Sequence, residues 1–291
     1  MCRYIFDLLN HLNFEEDAIR FFETAYKKIC GSIKSSQIFD SCIHQYEKTE
    51  TAVYDIVYKN AIKIESLAGV DRFTVMMLFM LCFSRHLKVI YTRRGYSEKM
   101  YFDVLGDLAC KNTECYTIKG VYGSFVSQWE FKIFNLELFA FGRLQFEPRR
   151  LEKEYKISTG ILPAQASVLS IHIPSSGRLE TELCIDSVKC AQDFFGKSSV
   201  FYCHSWLLYP DNRKIITPPS NILKFMDLFE IVAAEESTDD LWRIFGTEDL
   251  SDFAALPENT SLRRDYKRWL LSGNKVGIAT GFITDRRLKD E

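Results

Sequence analysis

The chain predicts an α+β protein: a helical N-terminal domain over residues 1–122, then, over 123–291, a mixed sheet flanked by helices. Three observations carry this. Up to about residue 118 apolar residues recur at helical spacing, and after Gly120 they give way to short aromatic and β-branched runs. Over 165–208 a strand, a Ser/Gly turn, an amphipathic helix and a second strand follow one another, the pattern of a crossover in a sheet.

In the first third, Phe14, Ala18, Phe21, Ala25 and Ile29 form one helical stripe, introduced by Asn13 as a cap with Glu16 three residues on. Val53, Ile56, Val57, Ala61, Ile64 and Leu67 mark another. Asp71 caps a third helix, whose run FTVMMLFMLCF (73–83) is apolar on every face. Such a helix must be enclosed by others, and the run stops at Ser84, Arg85 and His86, too soon to cross a bilayer. It is the expected centre of this half. A further helix over about 97–110 turns Met100, Tyr101, Val104, Leu105 and Leu108 inward, and Gly120 and Gly123 then break the pattern, placing the domain boundary between about 119 and 127.

In the second part, FAFGRLQFE (139–147) has the residues of a strand, closed by Pro148, and a weaker strand follows near 155–158. SVLSIHI (167–173) is the next strand and PSSGR (174–178) a turn. The helix after it has Thr181 as N-cap, Glu182 in its first turn, Ile185, Val188, Ala191 and Phe195 on one face, and Gly196 at its end. VFYCHSWLL (200–208) reads as a strand in which Phe201, Tyr202 and Trp206 fill the core or line a pocket. Ser220 or Asn221 caps a helix through Leu223, Phe225, Met226 and Phe229; a strand over 229–234, helices over 239–245 and 260–271 and a last strand over 275–283 complete the order. The charged tail 284–291 is expected to fray.

With 37 basic and 39 acidic residues the formal charge is −2, which gives no field to gather nucleic acid or an anionic membrane, so neither is an expected partner. The basic run Arg263, Arg264, Lys267 and Arg268 fits a solvated helix face. Nine cysteines without a CxxC pair, and no export signal at the start, point to reduced thiols and a cytoplasmic protein without a metal site. Oligomeric state is not legible.

The phrases GRLQFE (142–147), HIPSSGR (172–178), CHSWLL (203–208), PSNI (219–222) and LPENTSL (256–262), in this order of elements, resemble an acyltransferase domain of the GNAT superfamily. With the helical first third, nearly the whole chain resembles bacterial acyltransferase-domain-containing proteins, in which a helical N-terminal domain precedes a GNAT-like C-terminal one. The resemblance implies a GNAT-like mixed sheet, acyl-CoA or acetyl-CoA as acyl donor and an amine as acceptor. It also implies that the strands 167–173 and 200–207 splay apart, with pantetheine pairing to the backbone at Ile171 and Ile173. The diphosphate would lie on Ser175, Ser176, Gly177 and Arg178, and Asn221 would reach the cofactor from the next helix. Two departures stand out: the family's turn pattern, Gln/Arg-x-x-Gly-x-Gly/Ala, keeps only Gly177, and the helix that should carry a tyrosine acid offers Phe225 and Phe229. They favour the rival reading, a catalytically degenerate GNAT-fold module that binds a peptide, sugar or protein partner.

Independently of any resemblance, a turn of small residues feeding a helix N-terminus aims unpaired N–H groups outward, where the helix dipole favours an anion; an ordinary strand-to-helix turn is the plainer account. Transfer to an amine needs a base with pKa near neutrality, and His172 and His204 are the only histidines of the second half. Each can equally be a structural strand residue. Glu147 is a base through water or an exposed strand end. Cys203 cannot pair with His204, its neighbour in one strand, because they face opposite ways; pairing with His172 across strands, as in a cysteine hydrolase, is the distant third reading.

Overall fold

The structure is a computed structural model that describes residues 3–283. The predicted tail 284–291 lies outside those residues. The chain divides into two compact units, Met1–Ala140 and Phe141–Glu291.

The first unit is helical: α1 (Arg3–His11), α2 (Glu16–Gly31), α3 (Ile33–Thr49), α4 (Tyr54–Ala68), α5 (Arg72–Arg93), α6 (Glu98–Lys119) and α7 (Ser127–Phe134). The expected central helix is α5, which packs against α1, α2, α3, α4, α6 and α7. Every residue from Thr74 to Leu81 is fully buried. At about 1.5–3 kcal/mol for each large apolar side chain, this one run supplies much of the unit's cohesion. The helix continues ten residues beyond Phe83 and is long and apolar enough to cross a membrane by length and composition, but 67% of its apolar window is buried inside the protein. Asp71 caps it as expected, accepting from the Phe73 N–H at 2.8 Å.

Two expectations fail here for local reasons. Asn13 does not cap α2: it sits at φ 58° in the left-handed region, and Glu15 takes the cap position without a side-chain bond. The predicted boundary near 119–127 is a packed connection inside the first unit. Gly120 ends α6 in a left-handed conformation; Thr74 Oγ1 then donates to the Tyr122 carbonyl at 2.7 Å, and the Ser124 N–H donates to the Phe73 carbonyl at 3.1 Å. Helix α6 itself runs to Lys119, past the predicted 110, because its buried face turns polar at Asp107, Lys111 and Asn112 and the apolar period is lost.

That polar face surrounds Glu130 of α7, which is fully buried, bonded to Ser124, and near Asp107, Lys111 and Glu114. Burial raises its pKa to about 8, the Ser124 bond opposing. The folded state therefore keeps a proton that the unfolded chain releases near pH 4.5, so stability is highest below that value and falls as pH rises to about 8. Thermal melts should show Glu130→Gln close to wild type at pH 5 and more stable than it at pH 8.5.

The second unit holds a six-stranded sheet of order β1-β2-β5-β6-β8-β7. Its strands are β1 (Phe139–Phe141), which begins at the junction of the two units, β2 (Leu144–Arg150), β5 (Ser167–His172), β6 (Phe201–Ser205), β7 (Glu230–Glu236) and β8 (Gly277–Ile283). The predicted strand 139–147 is thus a hairpin, turned at Gly142 (φ 66°) and Arg143. Pro148 does not close β2; it lies beyond the reach of three-residue β1, where the missing N–H costs no ladder bond. The strand near 155–158 is β3 (Tyr155–Ile157), paired with β4 (Gly160–Leu162) as a separate two-stranded sheet. Between β5 and β6 runs α8 (Thr181–Phe195), and β5 and β6 are parallel, the predicted crossover. The predicted strand 200–208 ends at Ser205, whose side chain caps a 3₁₀ turn over Trp206–Leu208. After it come α9 (Asn212–Ile215), α10 (Asn221–Asp227), α11 (Leu241–Phe245) and α12 (Ser261–Leu271). Trp206 packs with Ile244, Tyr266, Leu270 and Val276 in a core beside the sheet.

Candidate active site

The decisive feature is where β5 and β6 part. They pair only at Leu169 with Phe201 and Ser170 with Tyr202, while β5 stays paired with β2 as far as His172 and β6 with β8 as far as Ser205. Past Ser170, then, the backbone of Ile171 and His172 has a partner strand on one side only. This is the predicted splay. Ile171 buries its side chain, and Ile173 lies just beyond the strand, half-buried.

The turn that follows is exposed from Ser175 to Arg178, with Gly177 at φ 71°. It leads into α8, whose N-cap is Glu180 and not the predicted Thr181. Glu180 makes no side-chain cap bond, as is also so at the starts of α2, α4, α7, α9 and α11, whereas α3, α5, α6, α10 and α12 are capped by Ser32, Asp71, Ser97, Ser220 and Thr260. Thr181 is buried in the first turn with its hydroxyl unpartnered. An uncapped helix start leaves its first amides pointing along the axis with the positive end of the dipole behind them. At α10 the cap is Ser220, accepting from the Ile222 N–H at 3.2 Å, so Asn221 is not needed for capping; α10 packs against α8.

Register sorts the side chains by face. Phe146, Ile171, Phe201 and Cys203 share the α8 side, where Phe141 meets Phe146 and Phe194 at a tilt and Phe195 edge-on. Gln145, Glu147, Ser170, His172, Tyr202, His204 and Thr280 share the other. On that second face His172 Nε2 lies 3.1 Å from Glu147 Oε2, with the two side chains 28% and 14% exposed. Glu147 is therefore not an exposed strand end: it lies within β2, diagonal to His172. With Nε2–H donating to the carboxylate, the basic lone pair of the ring is on Nδ1.

His204 stands apart from that pair. Its Nδ1 lies 2.9 Å from Thr280 Oγ1 and its Nε2 3.9 Å from Glu235 Oε1, on the β8 and β7 side. Tyr202, at the last rung before the strands part, is largely buried beneath Tyr155, and burial raises its pKa to about 12 while Thr280 opposes the shift. Cys203 is fully buried among apolar groups, which pushes its thiol up, and it faces away from His172. The cysteine-hydrolase reading fails on both counts.

Sequence reading missed Gln145 and Arg143. Gln145 lies directly opposite His172, 2% exposed, with no partner for its side-chain nitrogen. The alternation Leu144, Gln145, Phe146, Glu147 was the signal available: period two puts both polar residues on one face. For Arg143, a two-residue turn gives no such signal.

A GNAT-like C-terminal domain model matches residues 138–283, half of the chain, and an N-acyltransferase N-terminal domain model matches 4–136. The chain belongs to the GNAT-like family. No curated protein matches it. Among solved structures it is similar to an acyltransferase in complex with decanoyl-CoA, at TM-score 0.68, 18% identity and coverage of 95% of this chain and 86% of the other. The same coverage and identity hold, at TM-score 0.71, for an acyltransferase with decanoyl-CoA and teicoplanin. A complex with CoA and 10C-teicoplanin gives TM-score 0.70 at 18% identity, over 96% of this chain and 86% of that one. At such identity the likeness establishes the fold of this GNAT-like chain.

Proposed function

We propose that the protein transfers an acyl group from acyl-CoA to an amine, with the thioester seated where β5 and β6 part. The observation that carries this reading is the two-rung ladder, which opens beside His172 and is followed directly by an uncapped helix start. Pantetheine amides would take the unpaired edge of Ile171 and Ile173, and the diphosphate would lie against the amides of Ser175–Arg178 and the first turn of α8. His172 takes the proton of the attacking amine; Glu147 fixes the ring and stabilises the imidazolium. The amine nitrogen bonds to the thioester carbonyl carbon, the C–S bond breaks, and the CoA thiolate leaves, to be protonated from the imidazolium or solvent. A main-chain N–H of β5 is the available donor to the tetrahedral oxyanion. Among the neighbours, one holds teicoplanin beside decanoyl-CoA, which supports a bulky acceptor and a medium-length acyl chain here.

Thermal unfolding with octanoyl-CoA or decanoyl-CoA is the direct test. At a hundredfold excess over Kd the gain is about 2.7 kcal/mol, or a rise of roughly 5–10 °C in Tm. If no acyl-CoA from acetyl to decanoyl shifts the melt, the reading is lost.

A further inference from the structure

We infer that Arg143 is a positioning residue for the diphosphate turn, taking over from the glycines that this turn lacks. The inference rests on the cofactor placement just proposed. Arg143 belongs to the β1–β2 hairpin, 31 and 35 residues away in sequence from the groups it binds. Its Nη1 donates to the Pro174 carbonyl at 2.9 Å and its Nε to the Arg178 carbonyl at 3.0 Å, so a single planar guanidinium bridges the two ends of the turn. Its own N–H donates to Ser187 Oγ at 3.0 Å, and that hydroxyl donates to the Leu183 carbonyl at 2.8 Å, tying the hairpin to α8.

Carbonyls and amides compete for the concave side of a tight turn. In a glycine-rich turn, freedom at φ > 0 lets the backbone rotate its amides toward a phosphate. Here only Gly177 has that freedom, at φ 71°. A side chain that draws both terminal carbonyls toward itself acts in the same sense, since the N–H groups of those two trans peptides, on Ser175 and Leu179, are turned away from the guanidinium. The unpartnered, buried hydroxyl of Thr181 stands at the start of the helix that this turn feeds. The two fixed carbonyls mean that the turn needs little rearrangement when the ligand arrives, and affinity follows from ordering not incurred on binding.

The test compares octanoyl-CoA with octanoyl-pantetheine, which has the same thioester and arm but no diphosphate. Arg143→Ala should weaken octanoyl-CoA on the order of tenfold, the scale of a charge-assisted hydrogen bond, and leave octanoyl-pantetheine within twofold. Arg143→Lys keeps the charge but cannot span both carbonyls, and should show a smaller loss confined to octanoyl-CoA; it serves if the alanine variant melts too low to assay. Equal losses for both ligands, or none for octanoyl-CoA, would overturn the inference while leaving the acyl-CoA reading intact. Wild-type protein that binds neither ligand overturns both.

Discussion

Replacing His172 by alanine should lower acyl transfer by about 10²–10⁴-fold, the usual contribution of a placed general base. Transfer of the octanoyl group from octanoyl-CoA to a panel of amines measures it, and the Tm shift with octanoyl-CoA should survive, because the ring is proposed to act on the acceptor. Glu147→Gln keeps the shape of the 3.1 Å contact but removes the charge that favours imidazolium. Its loss should be smaller than that of His172→Ala, because the base itself remains. His204→Ala is the contrast. That ring is held by Thr280 on the far side of the opening, and its removal should change the rate by only a few fold. A dead His204→Ala beside an active His172→Ala would reverse the assignment of the base.

The second large effect concerns folding. A Cβ on Gly123 would lie 2.4 Å from the Phe73 carbonyl carbon, 2.5 Å from its oxygen and 2.7 Å from the Thr74 nitrogen. These are backbone atoms at the start of the most buried helix, so nothing there can yield cheaply. Gly123→Ala should destabilise the protein by about 1–3 kcal/mol, read as a fall in Tm and in the denaturant midpoint. Gly160→Ala is a useful control for open surroundings, having no atom within 4 Å, though its φ of 144° adds its own strain.

Gly123 also shows where sequence reading reaches its limit. A glycine after a helix end reads as a linker because local pattern reports what a residue permits, not what packs on it. The same limit explains the hairpin at Gly142, hidden because apolar residues flank it on both sides, and the full length of α6, whose buried face turns polar. By contrast α8 and α12 were legible almost to the residue, because each combines a periodic face with a punctuating start or stop, while α5, apolar on every face, runs ten residues past its expected end. For the site, the turn 174–178 and the parting of the two strands followed from element order and resemblance. The Glu147–His172 contact did not: it depends on a diagonal register between β2 and β5 that no spacing along the chain encodes.

The two-rung ladder has a mechanical consequence. It divides the sheet into ribbons of three, β1-β2-β5 and β6-β8-β7, joined along their strand edges at only two residue pairs. A ligand arm lying in the notch would serve as a short seventh strand, borrowed from solution, that laces the ribbons together. Occupancy should then be visible far from any chemistry, as slowed deuterium uptake along the facing margins of both ribbons.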